Sequence, residues 1–296
     1  MTSVHRSTEP LELIVEAKVA DLLDRPDGDD VRASSLEPSG VCVHDGACYL
    51  IFDDSSAIAR IEDWSGRSLR NRMLDASVGG HAQDREDIAF DPVSGHFFVL
   101  VEAVRHHGQL LSEVLEYAPH GTPLGRAFLD LILETQNKGL EGLSCLVRDG
   151  EPFLLGLCEG NHCRGGAEGR RPGGGRIHIF QRGPHHWTHV DVIRLPKDVH
   201  FVDYASVAVS GDRIAVVSQS SSALWIGKLA AKGFAVEDGG TIYRFPRDAQ
   251  DRVVYGNVEG VSWLSDDRLV MVSDKAEKNS PAWAKERSLH VFALPA

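Results

Sequence analysis

No stretch of this 296-residue chain approaches the roughly 20 consecutive apolar residues that a membrane-spanning helix needs. The opening "MTSVHRSTEP" lacks the apolar core of a secretion signal, so a cytoplasmic location is the expectation. Positive charge is in deficit: 31 Lys and Arg stand against 43 Asp and Glu, a formal net charge of −12. Nucleic acid and anionic membranes each demand a basic footprint, so neither is expected as the main partner. Cysteine is scarce, odd in number and never arranged as CxxC. Cys42, Cys48, Cys145, Cys158 and Cys163 fall mostly in or beside apolar runs, and are expected to be buried free thiols in a reducing compartment. Neither Cys158, His162 and Cys163 nor His185, His186 and His189 has the spacing of a structural zinc site. There is no GxSxG elbow, and the glycine run at 173–175 is neither followed by GK[ST] nor placed before a helix. Helical periodicity is weak. Only residues 11–23 and 129–135 resemble short helices, and both fit a strand scheme better.

What is present is an ordinary globular composition, 42% apolar and 25% charged, able to bury a core without staples. It is also repetitive. Five stretches share one template: "EPSGVCVHDGACYLIFDD" from Glu37, "DREDIAFDPVSGHFFVLVEA" from Asp84, "GLEGLSCLVRDGEPFLLGLCEG" from Gly139, "DYASVAVSGDRIAVVSQS" from Asp203 and "NVEGVSWLSDDRLVMVSDKA" from Asn257. Each gives a polar entry, an alternating strand, a turn rich in Gly, Asp and Ser, and a continuous apolar strand. The last is the mark of a strand buried on both faces. The template position is held by Ser39, Glu86, Glu141, Ala205 and Glu259, at intervals of 47, 55, 64 and 54 residues. Two further strand-like runs separate successive repeats, the content of a four-stranded propeller blade.

After the fifth repeat only "RSLHVFALPA" remains, so one strand is missing at the C-terminus, while "LELIVEAKVADLL" is spare at the N-terminus. The spare strand can complete the last blade and close the ring. The reading is therefore an all-β, five-bladed β-propeller of four-stranded antiparallel blades, in preference to an irregular six-bladed ring or a sandwich. Residues 1–10 are expected to be disordered, and 11–296 to form one domain.

In such a ring the first strand of each blade lines the axis, so Glu86, Glu141 and Glu259 should converge there with Ser39 and Ala205. Three close carboxylates cannot all stay ionised unless one is protonated or a cation lies between them. Oxygen-only donors in a roomy cage suit Ca²⁺. Glycines following Glu141 and Glu259 let backbone approach closely. The ends of the second strands return to the same face with Asp53 and Asp54, Glu102, Glu159, Gln219, and Asp274 with Lys275. Asp53, Asp54, Glu159 and Lys275 are the candidates for catalysis. Glu102 and Asp274 are candidates for ligand binding, with Arg164, Arg170 and Arg171 of the glycine-rich loop as possible anion donors.

The string "SGVCVHDGACYLIFDDSSAIARI" resembles the first blade of the calcium-activated apyrases, and the acids at the template position and the basic third-blade loop extend the likeness. The resemblance implies a five-bladed propeller with a central calcium that hydrolyses nucleoside di- and triphosphates. Two departures stand out: Ala205 replaces a polar residue, and Ser55 follows the Asp-Asp pair where that family has arginine. The "EGL" and "EGV…SD" phrases also resemble phytase-like and esterase-like propellers. The expectation is a calcium-dependent hydrolase of a phosphorylated small molecule. The alternatives are a non-catalytic binding propeller, and a propeller acting on an ester, lactone or sugar.

Overall fold

The computed structural model describes residues 3–23, 36–74, 76, 84–136, 138–276 and 279–295. Five sheets surround an axis, one for each repeat. The first blade is β3 (Pro38–His44), β4 (Ala47–Phe52), β5 (Ser55–Ile61) and β6 (Arg72–Leu74). The second is β7 (Arg85–Asp91), β8 (His96–His106), β9 (Gln109–Tyr117) and β10 (Pro123–Phe128). The third is β11 (Leu140–Arg148), β12 (Glu151–Cys158), β13 (Arg176–Arg182) and β14 (Trp187–Arg194). The fourth is β15 (Ser206–Ser210), β16 (Arg213–Ser218), β17 (Ala223–Lys228) and β18 (Thr241–Arg244). The fifth takes β19 (Val258–Trp263), β20 (Arg268–Ser273) and β21 (Ser288–Ala293), and is completed by β2 (Glu12–Lys18) from the N-terminus. β2 pairs antiparallel with β21 from Glu12↔Ala293 to Lys18↔Ser288. The spare strand closes the ring as its position in the sequence demands.

Turn chemistry fixes the hairpins. Asp45-Gly46 and Asp149-Gly150 both hold two positive φ angles, 49° and 74° in the first and 52° and 83° in the second. That is the two-residue turn whose twist matches paired strands, and Asp-Gly favours it. Apolar side chains gather in five clusters, each between neighbouring blades; Leu155, Ile177 and Ile179, for example, meet Ile214, Val216 and Trp225. Strands packed between two blades have no solvent face, which is why "ACYLIF" is buried throughout.

Four readings need adjustment. Residues 129–135 form no strand: Leu129 alone bridges Trp187 of the next blade, and the chain then loops inward to the third blade. The 11–23 run is a strand only to Lys18, after which Val19–Leu22 makes one helical turn that buries Val19 and Leu22. Of the ten residues expected to be disordered, His5–Arg6 form β1, a parallel addition to β18, while Met1 and Thr2 lie outside the described residues. Finally, the five cysteines are not all free. Cys158 and Cys163 form a disulfide with Cα atoms 5.2 Å apart, because the turn after β12 passes through left-handed backbone at His162 and Cys163. Cys42 and Cys48 are buried thiols, and Cys145 is only partly covered. Among the described residues no helix is long and apolar enough to cross a membrane.

Candidate functional site

The innermost strands β3, β7, β11, β15 and β19 pack side by side around the axis. Four of them carry a register shift at one place: between Pro38 and Gly40, Arg85 and Ile88, Leu140 and Gly142, and Val258 and Gly260. Ser39, Glu86, Glu141 and Glu259 stand in these irregularities. A bulge puts two residues opposite one and re-aims a side chain that the pleat would send into the sheet. Ala205 lies just before β15, which has no such shift.

In the next template column, the glycines that follow Glu141 and Glu259 do admit backbone closely, and the backbone is the next blade's inner strand. A Cβ on Gly142 would lie 2.9 Å from Val207 N, and one on Gly260 would lie 3.0 Å from Val41 N. These glycines admit the neighbouring blade's inner strand. Where the column is not glycine it holds Asp87 and Ser206, whose side chains cross the axis and close the channel below the acids.

Two cavities meet above that closure, of about 100 and 490 Å³, and share Ser39, Glu86, Glu141 and Glu259. Glu159, Ala205 and Gln219 line the smaller, and Asp53, Glu102 and Asp274 the larger. The two rows read from the repeats therefore form an inner and an outer ring. The outer ring is set by a repeated backbone bond: the amides of Asp53, Glu102, Glu159 and Asp274 donate to the carbonyls of Glu37, Asp84, Gly139 and Asn257.

The electrostatics are those of crowded carboxylates. Glu86, Glu141 and Glu259 are all raised well above the ordinary range, burial being the largest cause in each. Neighbouring acids add to it: Glu102 and Glu259 act on Glu86, and Glu86 and Glu159 on Glu141. Glu141 lowers Glu86 while Glu86 raises Glu141, as two neighbouring carboxyl groups that share one proton do. Gln219 Nε2 donates to Glu259 at 2.6 Å. Burial also raises Asp53, Glu102 and Asp274, the last to about 7. Lys138 pairs with Glu159, and Lys275 with Glu37 at 2.6 Å on the rim beside Asp274.

Lining these cavities, the buried oxygens Glu159 Oε2 and Asp274 Oδ1 nevertheless have no partner among the described residues. Oxygens of Glu102, Glu141 and Glu159 lie within 4.8 Å of one another. Ligands on opposite sides of Ca²⁺, bonded at about 2.3–2.6 Å, stand about 5 Å apart. This spacing fits a hard divalent cation, and it joins Glu141 of the expected Ser39, Glu86, Glu141, Ala205 and Glu259 with Glu102 and Glu159 of the outer ring. Ser39 lines both cavities, its hydroxyl proton donated to Arg85 O at 2.6 Å and its lone pairs left to accept.

Some predicted residues stay outside. Asp54 accepts the Glu37 amide at 3.2 Å and lines neither cavity. Arg164 pairs with Glu168, and with Arg170 and Arg171 it is exposed to solvent; none of the three lines either cavity. Reading the sequence alone missed Lys138, whose signal was its place just before "GLEG", and Asp87, which reads as a deviation in the glycine column. Trp263 and Phe90 line a separate cavity of about 620 Å³ at the other mouth.

No protein-family model matches the chain, and no curated protein does. Among solved structures it is similar to the glutaminyl cyclase of Myxococcus xanthus, with 11% identity over 97% of this chain and 100% of that one, TM-score 0.53. It is also similar to a GH43_1 enzyme from Xanthomonas citri solved with xylotriose, with 13% identity over 88% and 87%, TM-score 0.50. At such identities the likeness is one of fold.

Proposed function

We propose that the protein is a calcium-dependent propeller hydrolase whose cation lies among Glu102, Glu141 and Glu159 at the channel mouth. The observation that carries this is the convergence of Glu102, Glu141 and Glu159, whose oxygens lie within 4.8 Å of one another, with the buried Glu159 Oε2 without a partner among the described residues. Such a cluster is stable at neutral pH only if it is protonated or bound to a cation. A bound Ca²⁺ would neutralise the carboxylates and polarise a substrate oxygen. Asp274, raised to about 7, is placed to accept or return a proton near neutrality. Asp53 shares its cavity, and Lys275 sets the charge of the rim. The resemblance to calcium-activated apyrases supports the axial cation and a phosphorylated small-molecule substrate.

A second reading, an ester or lactone as the bond cleaved, is favoured by one observation: among the described residues no arginine lines either acidic cavity. A scissile phosphoryl group there would lack the guanidinium donors that usually hold it.

Calorimetric titration of chelator-treated protein with Ca²⁺ tests the cation. Saturable binding is expected, weakened by Glu141→Gln, together with calcium-dependent turnover in a panel of phosphate esters, aryl esters and lactones. Identical melting with calcium and with chelator would overturn the reading.

A further inference from the structure

A third cavity, of about 190 Å³, lies on the same face at the rim of the fourth blade, lined by Arg6, His200, Ser221, Arg244 and Arg247 with apolar walls from Phe201 and Ile242. Topology fixes the face. β16 runs toward the acid-bearing mouth and ends at Ser218; the turn carrying Ser221 follows, and β18, in the same direction as β16, delivers Arg244. Arg6 arrives from the N-terminal segment, held by the pairing of β1 with β18 at Arg6↔Ile242.

The cavity is built of donors. Arg6 and Arg244 meet no carboxylate among the described residues, and Arg247 has only the exposed Asp251 at 3.8 Å. In a chain of net charge −12, Arg6 and Arg244 without an acid partner among the described residues, beside Arg247 with a single exposed one, form a local excess of positive charge. Ser221 Oγ accepts the Val202 amide at 3.0 Å, leaving its own proton to donate. One guanidinium fork satisfies a carboxylate, whereas three guanidiniums and a hydroxyl match the three terminal oxygens and double charge of a phosphomonoester.

The cavity also adjoins the axial site. Phe201 lines it while Asp203 and Tyr204 line the smaller acidic cavity, and Ser221 lines it while Gln219 lines the other. Two residues of chain span no more than about 8 Å.

We propose that this rim cavity binds a phosphomonoester group, and that it holds the substrate's phosphate as a handle while the bond to be cleaved lies over the axial carboxylates. The binding site stands on the rim geometry; its role as a handle rests on the hydrolase reading. This division reconciles a phosphorylated substrate with an acidic centre that no arginine lines among the described residues.

The test is titration of the full chain with inorganic phosphate, in chelator and at low salt, with acetate as the carboxylate probe. Phosphate is expected to bind more tightly than acetate, and to weaken about tenfold or more in Arg244→Ala. Arg247→Ala serves as a second variant should the first melt markedly lower. Glu141→Gln is expected to leave phosphate affinity within twofold while impairing calcium binding. Equal phosphate affinity in the wild type and both arginine variants overturns the proposal, as does acetate binding as tightly as phosphate. Loss of phosphate binding in folded Glu141→Gln overturns it too, by moving the anion to the axis. Intact phosphate binding beside absent calcium binding sinks the hydrolase reading alone.

Discussion

Ser206 Oγ donates to Asp87 Oδ2 at 2.7 Å, joining the inner strands of the second and fourth blades across the propeller axis. The same oxygen of Asp87 accepts the Leu143 amide at 2.9 Å, from the third blade, and Ser206 Oγ accepts the Val261 amide at 3.2 Å, from the fifth. The first blade closes the circle by contact, since a Cβ on Gly40 would lie 2.7 Å from Asp87 Cα. One carboxylate and one hydroxyl thus tie the ring beneath the acid site.

The tie should be measurable. Ser206→Ala leaves a buried carboxylate short of a donor, with an expected cost of about 1–3 kcal/mol. Gly142→Ala forces a methyl group against Val207 N and Ser206 Cα, and an overpacking cost of about 1–3 kcal/mol is expected. Urea unfolding reads both. Midpoints equal to wild type would show that the hub contributes nothing.

The acid cluster sets a pH dependence. Glu86, Glu141, Glu259 and Asp274 are raised in the folded protein, so the folded state binds more protons than the unfolded chain. Without calcium, this contribution to stability is complete below the ordinary carboxylate pKa near 4. It is lost as pH rises through the folded values, including the one near 7 for Asp274. Melting temperature in chelator should therefore fall between pH 5 and 8, and saturating calcium should flatten or reverse the fall. A profile in chelator that does not respond to pH would contradict this account.

Ring closure can be removed and returned. Deleting residues 1–18 strips β2 from β21, whose six residues are all buried in the intact protein. A drop in melting temperature of roughly 10 °C or more is expected, with a tendency to associate through the uncovered edge. A peptide of residues 11–23 added in trans should recover part of the loss. Unchanged melting after truncation would refute closure by this strand.

Thiol counting checks the cysteine assignment. Alkylation of the unfolded chain without reductant should label three cysteines, and with reductant five. In the native protein Cys145 should react before Cys42 and Cys48. Exposure sets that order: burial raises all three thiols, and Cys145 is the least covered of them.

The blade count, the closing strand and both acid rings could be read from the sequence because they repeat: the same template offset recurs at Glu86, Glu141 and Glu259, and again at Glu102, Glu159 and Asp274. What does not repeat was not visible. Asp87 and Ser206 occupy a column that is otherwise glycine, and their meaning lies in contacts made across the axis. The Cys158–Cys163 bond depends on left-handed backbone at His162 and Cys163, which no spacing rule predicts. The glycine-rich loop attracted attention for its arginines, yet Arg170 and Arg171 point to solvent. The arginines that converge come from positions 6, 244 and 247, brought together only by β1 pairing with β18.

The closing strand also imposes an order on biosynthesis. Lys18 of β2 is paired with Ser288, so the N-terminal segment leaves the ribosome long before its partner exists. At about 5–20 residues per second the wait is on the order of 15–50 s. Blades one to four can assemble in sequence during that interval. The fifth cannot, and the first blade meanwhile lacks the fifth as its neighbour. For a nascent chain of this design the vulnerable period therefore spans the synthesis of blades one to four, while "ELIVEAK" is an open edge awaiting β21.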